Sequence, residues 1–586
     1  MTGDIFDLLR DRIDLRRVPF TEAESRLLLF RGDDGAFRIA LAAYETSPRD
    51  TVVVADLRLT DAAGHCLAPE IATFPDRIES ATPIGRFQIC FVDPATLVVA
   101  PPPNAAGVSF TAFASTSAER AVAWRTTNAA APEIAAGADG ARRVRCRFAS
   151  AKDAVLAIRI GPGDWPVARP GATAALAAAH DRWAAWFAAA PDVAEPHRAH
   201  VAWAWWVLRA NLIRPRVDPR WAGVAPSKIG YVAVWNWDSC FHALALRHID
   251  PALARDQIRL LLAHQLSDGM LPDVIHDQGV LAYVADLPPN ERARFAPPEM
   301  PEAARDAALR TPLTKPPLLA WTVFQIDAAA PDDDFLAETY PALVRAHDWW
   351  RRETDRAGDG LCAYDHPYSS GLDDSPLWDG GPPVTAPELN AYLALGCDAL
   401  ADIAARIGRA GDAPRWREEA RRLTERLLAL QWDPAAGLFW ATRRSERISV
   451  RTPFNLMPLL TGRLPQPVAA RLVATLTDPA AFWPRFPVPT VARDDPAYDP
   501  QTMWRGPVWM NVNLLLAEGL RRSGFADEAA RLGERTLAMA MTQADFSEYY
   551  HPDTGRRPPR AAPMFSWSAA AFVEFALAAT AAAGGA

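Results

Sequence analysis

Two acidic segments far apart in the chain hold residue types that can move protons. The first reads His366-Pro367-Tyr368-Ser369-Ser370-Gly371-Leu372-Asp373-Asp374-Ser375-Pro376-Leu377-Trp378-Asp379, with three carboxylates beside aromatics in a stretch punctuated by Gly and Pro. Such a loop suits a partly desolvated acid, because burial raises a carboxyl pKa toward the range a general acid needs. The same residues also fit a turn in which Asp373, Asp374 and Ser375 cap backbone amides, and spacing alone favours that plainer reading. The second segment, Asp545-Phe546-Ser547-Glu548-Tyr549-Tyr550-His551-Pro552-Asp553-Thr554-Gly555, sets Glu548 after a helix and beside two tyrosines that can stack on sugar rings and hydrogen-bond a carboxylate. Standing alone, Glu548 reads as an exposed glutamate at a helix end.

Two further segments mix indole rings with polar groups: Tyr231-Val232-Ala233-Val234-Trp235-Asn236-Trp237-Asp238 and Met503-Trp504-Arg505-Gly506-Pro507-Val508-Trp509-Met510-Asn511-Val512-Asn513. A sugar offers apolar C–H faces and a rim of hydroxyls, so its pocket combines Trp platforms with Asp, Asn and Arg side chains. The chain has 21 Trp, so most must serve the core; clustering with polar partners in loops is what singles these out.

The elements that position these segments change character along the chain. From 18 to about 163, short stretches rich in β-branched and aromatic residues (25–31, 37–44, 51–59, 86–92, 121–126, 142–148 and 155–160) are separated by turn signals, which predicts an antiparallel β-sandwich. After Gly171 apolar residues recur at helical spacing over 174–188, 197–212, 240–248, 251–265, 318–326, 334–354, 387–407, 414–430, 467–475, 508–523, 526–542 and 565–583. About twelve helices suit six helical hairpins closed into a ring. The expected architecture is therefore α+β and multidomain: an N-terminal sandwich over 1–170, a helical linker over 171–195 and an (α/α)6 barrel catalytic domain over 196–586. Long Pro- and Gly-rich connectors at 267–316, 358–386 and 479–506 interrupt the helices, and connectors of that length in a helical domain usually carry function.

Composition narrows the function classes. At 586 residues the chain can organise more than one core and enclose a deep pocket. Its net charge of −8 comes without a basic block, which argues against nucleic acid and anionic membrane as partners. Residues 1–17 lack the apolar core of a signal peptide, and no stretch reads as a transmembrane helix, so a cytoplasmic protein is expected. The six cysteines are scattered with no metal-ligand spacing, so neither metal nor other cofactor is expected. Cys240 beside the Trp-rich segment reads as a packing residue.

Taken together and in this order, the four segments resemble the clan of inverting α-glycosidases that includes glycoside hydrolase family 63, the mannosylglycerate and glucosylglycerate hydrolases and, more distantly, the trehalases. Ser370-Gly371-Leu372-Asp373-Asp374-Ser375-Pro376 is similar to the clan's SGxDNSP loop, and the resemblance makes Asp373 the general acid. Phe546-Ser547-Glu548-Tyr549-Tyr550 resembles its FxEYY segment, which makes Glu548 the general base. Trp504-Arg505-Gly506-Pro507-Val508-Trp509 and Trp235-Asn236-Trp237-Asp238 resemble its WRGPxW and WxWD motifs. The resemblance implies a carbohydrate substrate contacted by Tyr231, Trp235, Trp237, Asp238, Lys315, Gly371, Trp504, Arg505, Trp509, Asn511 and Tyr549. It also implies an (α/α)6 barrel with an N-terminal sandwich.

Four positions depart from the pattern: Ser369 replaces a Glu, Asp374 an Asn, Lys315 the Gln of a Gln-Pro pair, and Met503 a Tyr that in the glycerate-cleaving members helps bind the aglycone, a departure that argues against glucosylglycerate or mannosylglycerate as the substrate. An extra carboxylate at Asp374 favours protonation of its neighbour, and Lys315 is a candidate for recognising an anionic or differently hydroxylated sugar. The expected mechanism is direct displacement by water between two carboxyls roughly 6.5–9.5 Å apart. Two alternatives stand beside it: a phosphorylase on the same barrel, and a non-catalytic glycan-binding protein.

Overall fold

The computed structural model describes residues 5–137, 140–149, 153–165 and 171–584. The chain divides into two compact units, one comprising Met1–Ile213 with Ser227–Val232 and the other Arg214–Pro226 with Ala233–Ala586.

The first unit holds two six-stranded sheets, antiparallel at every pairing described. One runs Leu27–Arg31, Phe37–Leu41, Val52–Asp61, Ala106–Ala112, Arg142–Phe148, Glu133–Ala136 in spatial order; the other runs Glu70–Thr73, Ile78–Thr82, Gly85–Asp93, Thr96–Ala100, Val155–Ile160, Val122–Thr127. The strand Arg142–Phe148 shows why: Val144, Cys146 and Phe148 are buried while Arg143, Arg145 and Arg147 between them are exposed, the period of two that a half-buried strand requires. Five strands are absent from the sequence expectation, namely Glu70–Thr73, Ile78–Thr82, Thr96–Ala100, Ala106–Ala112 and Glu133–Ala136. They are short, or diluted by Ala, Gly, Ser and Thr, so pairing with neighbours defines them more than composition does.

Helices α1 (Ala172–Ala188) and α2 (Arg198–Ala210) belong to this unit too. That differs from a linker over 171–195 and a helical domain starting at 196. The reason is burial: Ala175 and Ala179 of α1 pack on Cys90, Val98 and Val155 of the second sheet, and the Trp183 ring stacks on Trp206 of α2. Trp206 then donates from Nε1 to the Pro75 carbonyl at 3.2 Å.

The second unit is helical. Its longer helices are α3 (Asn236–Leu246), α4 (Pro251–Ala263), α5 (Leu319–Ala329), α6 (Asp333–Thr354), α7 (Pro387–Arg406), α8 (Ala413–Leu430), α9 (Gln466–Leu476), α10 (Met510–Arg522), α11 (Ala526–Ala540) and α12 (Ser566–Gly584), with short helices at Pro289–Phe295 and Glu302–Leu309 between α4 and α5. Helix α3 is buried on every side, whereas α8 buries only Trp416, Ala420, Leu423, Thr424 and Leu427, a single stripe at helical spacing. The neighbours follow from this contrast. Helix α3 packs on α5 and α12, α5 on α7, α7 on a 3₁₀ helix at Pro453–Thr461, that helix on α10, and α10 on α12; α4, α6, α8, α9 and α11 lie behind them.

The 3₁₀ helix escapes a reading by periodicity because Pro453 and Pro458 punctuate it. Pro453 sits at its first turn, where no N–H is needed, and Thr452 and Asn455 cap each other across the start. Helix α12 is apolar enough by composition to cross a membrane over Ser566–Ala583. Its first eight residues are each no more than 4% exposed, however, and the helix packs against α3, α10 and α11 as a core element.

Candidate active site

The acid loop is fixed at both ends before Asp373 and Asp374 are reached. A one-turn helix at Pro367–Ser370 is capped by His366, whose Nδ1 accepts from the Tyr368 amide, and it stops at Gly371 in the left-handed region (φ +71°). Gly371 is needed twice over, since a Cβ there would lie 2.4 Å from Cζ2 of Trp237 as well as favouring another backbone conformation. Beyond the loop, Ser375 accepts the Leu377 amide and starts a 3₁₀ turn. Asp374 Oδ1 accepts the Trp504 amide at 2.8 Å, while Asp373 Oδ1 is buried with no hydrogen-bond partner among the described residues. Burial raises the Asp373 carboxyl to about 6; Lys315 opposes the rise, and the charges of Asp374 and Glu291 add to it.

Glu548 is 3% exposed and held by one residue from two directions. Its amide donates to the Ala562 carbonyl at 2.9 Å, and its Oε2 accepts from the Ala562 amide at 3.0 Å. Trp567 Nε1 donates to the Glu548 carbonyl at 3.3 Å. An aromatic wall links this segment to the acid loop. Trp504, hydrogen-bonded to Asp374, stacks on Trp509 with ring centroids 3.7 Å apart and planes 6° from parallel, and Trp509 meets Tyr549 at 4.9 Å. The Tyr549 hydroxyl is pushed above its ordinary range by burial and by the charges of Glu548 and Asp374.

Beside the acid lies a buried charge cluster. Lys315, 6% exposed, pairs its ammonium with Asp273 Oδ1 at 3.2 Å and donates to the Tyr368 carbonyl at 2.6 Å. Asp238 (4% exposed) and Asp273 (2% exposed) are raised to about 8 and about 7, burial being the first cause in both and Lys315 the main opposing one. Lys315 itself is raised: burial lowers it, but the charges of Asp273, Asp373 and Asp238 outweigh that. The strap that carries Lys315 is tied to the acid loop through Ser369, whose Oγ accepts the Thr314 amide and donates to the Pro312 carbonyl.

The two carboxyls are thus treated unlike one another, Asp373 with a buried unbonded oxygen and Glu548 pinned by a backbone amide. Residues 231–568 match the model of the mannosylglycerate hydrolase MGH1-like glycoside hydrolase domain. The chain belongs to this family of glycoside hydrolases. It is 30% identical over 415 residues to the mannosylglycerate hydrolase of Thermus thermophilus, an alignment covering 60% of this chain and 96% of that protein. It superposes on the crystal structure of a GH63 mannosylglycerate hydrolase from Thermus thermophilus in complex with glucose with a TM-score of 0.53 and 27% identity, over 64% of this chain and 99% of that one. A bacterial glucoamylase complexed with acarbose gives a TM-score of 0.56 at 11% identity, covering 97% of this chain and 95% of that one, a likeness of fold.

In the hydrolase, most of the residues singled out by sequence fall into two groups. Asp238, Lys315 and Asp373 belong to the charge cluster, and Asp374, Trp504, Trp509, Tyr549 and Glu548 follow one another through the contacts above. Trp237, Trp504 and Trp509 are at most 2% exposed, so they stand as packed walls; Trp235 is the half-exposed indole of the set. Arg505 is paired with Asp379, and Asn511, fully buried at the start of α10, has no partner on either side-chain atom among the described residues. Tyr231 lies in the Ser227–Val232 stretch of the first unit. Lys315, enclosed by carboxylates and a carbonyl, is placed as a counter-ion, which leaves little of its charge for an anionic sugar.

Two residues of the site had no signal in the spacing. Asp273 follows Pro272 in a long connector and reads there as a turn residue, although Asn236 holds it in place through its amide on the Asp273 carbonyl and its Nδ2 on the Pro272 carbonyl. Arg560, exposed, has its charge near enough to oppose in part the rise that burial causes at Asp374 and Tyr549.

Proposed function

We propose that this hydrolase is an inverting α-glycosidase with an (α/α)6 barrel, in which Asp373 is the general acid and Glu548 the general base. The observation that carries the proposal is the unlike treatment of the two carboxyls. Asp373 is desolvated, raised to about 6 and unbonded at Oδ1, so it keeps its proton to a higher pH than an ordinary carboxyl; Glu548 is oriented by the Ala562 amide as an acceptor. The succession of packed neighbours α3, α5, α7, the 3₁₀ helix, α10 and α12, with helices behind five of them, supports the ring, as does the likeness to glucoamylase.

In the displacement, Asp373 donates its proton to the glycosidic oxygen as the C1–O bond breaks. Glu548 takes a proton from the water whose oxygen bonds to C1 from the opposite face. Products are a free sugar of inverted configuration and a free aglycone, with Asp373 ionised and Glu548 protonated until solvent resets them. Proton NMR of the first-formed sugar from an α-glycoside should show the β-anomer; an α-anomer at first appearance would overturn the assignment.

An α-mannoside or α-glucoside of a small acid is the substrate class this reading favours, with mannosylglycerate first in a panel that includes glucosylglycerate and trehalose. The relatives supply the sugar, and Arg560 supplies an exposed cation near Asp374 to meet an aglycone carboxylate. Arg560→Gln is expected to raise KM for mannosylglycerate about tenfold and to leave KM for a neutral mannoside unchanged; equal changes in both would remove Arg560 from the aglycone side. Sugar release independent of added phosphate separates hydrolysis from phosphorolysis.

A further inference from the structure

We propose that Lys315 is a positioning residue that ties Asp238, Asp273 and Asp373 into one buried ionic unit and thereby sets the pH range in which the general acid keeps its proton. This rests on the reading of Asp373 as the acid, and it adds a role that the acid–base pair does not require.

The geometry points to it in three ways. Lys315 is 6% exposed on a strap whose Thr314 amide is hydrogen-bonded to Ser369 of the acid loop, so its ammonium has a fixed place relative to Asp373. Its ammonium is shared between Asp273 Oδ1 at 3.2 Å and the carbonyl of Tyr368, a residue of the acid loop itself, at 2.6 Å. Asp238 comes from α3 and Asp273 from the connector after α4, so a single cation gathers carboxylates from three separate stretches of the fold.

The charges facing Asp373 make the balance plain. Lys315 is the cation among them, while Asp374 on the same loop and Glu291 from a neighbouring short helix are anionic. Arg505 and Arg560 act on Asp374, and His366, held neutral by burial and by Lys315, adds no charge. Three carboxyls around one ammonium cannot all ionise in a dry pocket, so the unit retains protons near neutrality and titrates as a group. A lysine here moves the acid's working range downward.

The test uses the full-length enzyme, with mannosylglycerate as probe and kcat/KM measured across pH. The basic limb reports loss of the Asp373 proton. Lys315→Gln removes the cation, so the proton is held more tightly and the limb should move up by about 1 pH unit. Asp273→Asn removes one of the carboxylates that share Lys315, leaving its charge to Asp373 and Asp238, so the limb should move down, and Lys315→Arg should keep it near the wild-type position. A residue that only braces the fold would lower thermal stability in Lys315→Gln and Asp273→Asn alike without moving the limb in opposite directions.

The protonated-carboxyl infrared band, taken as the wild-type minus Asp373→Asn difference and titrated with and without Lys315→Gln, reads the same shift with no substrate. Unmoved limbs and an unmoved band would overturn the proposal while Asp373→Asn still abolished turnover. Retained turnover in Asp373→Asn would instead bring down the acid assignment itself.

Discussion

Asp373→Asn is expected to lower kcat by about 10²- to 10⁴-fold, the usual worth of a positioned proton donor, without a comparable loss of stability. The amide keeps the shape of the carboxyl and can occupy the same half-buried place, but it has no proton to give. Because Asp373 Oδ1 makes no hydrogen bond among the described residues, its replacement leaves no protein group newly unpaired. Glu548→Gln should cost a similar factor for the opposite reason. Its Oε1 can still accept the Ala562 amide, so the segment stays in place, while the group that takes the proton from water is gone. Combining the two should cost little more than the worse single variant, since both act on one transition state. Thermal melting measured beside kcat checks the point: a Tm drop of many degrees in Asp373→Asn, or turnover within tenfold of wild type in either variant, would sink the pairing.

These two acids also mark what was legible in the sequence and what was not. Period and order sufficed for the twelve helical stretches, because an alanine- and leucine-rich stripe at 3.6-residue spacing has few other ways to bury itself. They failed at Pro453–Thr461, where burial on all sides and a capped 3₁₀ turn outweigh two prolines. They failed also at the boundary between the units, because α1 and α2 look like any other pair of helices until Trp183 is seen stacked on Trp206 and Ala179 against the second sheet.

In the site, residues in clustered motifs could be found, but an isolated Asp273 in a connector could not. Its role comes from a lysine 42 positions later in the chain. Polar neighbours in the sequence make the indoles look like platforms. Trp504 and Trp509 turned out to spend their faces on each other, a use that spacing does not distinguish from stacking on sugar. The departures from the family pattern also acquire physical meanings. Ser369 ties the acid loop to the Lys315 strap, Asp374 anchors it to Trp504, and Met503 accepts Trp509 Nε1 at its carbonyl, a bond that any side chain at 503 would permit.

Gly371→Ala should damage both the stability and the turnover of the hydrolase. Two costs fall on one atom. Alanine at φ +71° gives up about 1–2 kcal/mol against its preferred conformations, and the new Cβ would sit 2.4 Å from the Trp237 ring, which is 2% exposed. Trp237 cannot swing clear, because its ring is hemmed in by Phe241, Trp504 and Trp567. Overpacking of that kind costs about 1–3 kcal/mol, so a total of about 2–5 kcal/mol is expected, read as a lowered midpoint in urea at unchanged slope.

The larger consequence is for catalysis. Relief of the clash must come from the backbone, and the backbone two residues on carries Asp373, so even the folded fraction should lose about 10²-fold in kcat through misplacement of the acid. Trp237→Phe restores room for the methyl. The double variant Gly371→Ala/Trp237→Phe should therefore recover part of the lost kcat, whereas a defect due to φ alone would not respond to what stands opposite.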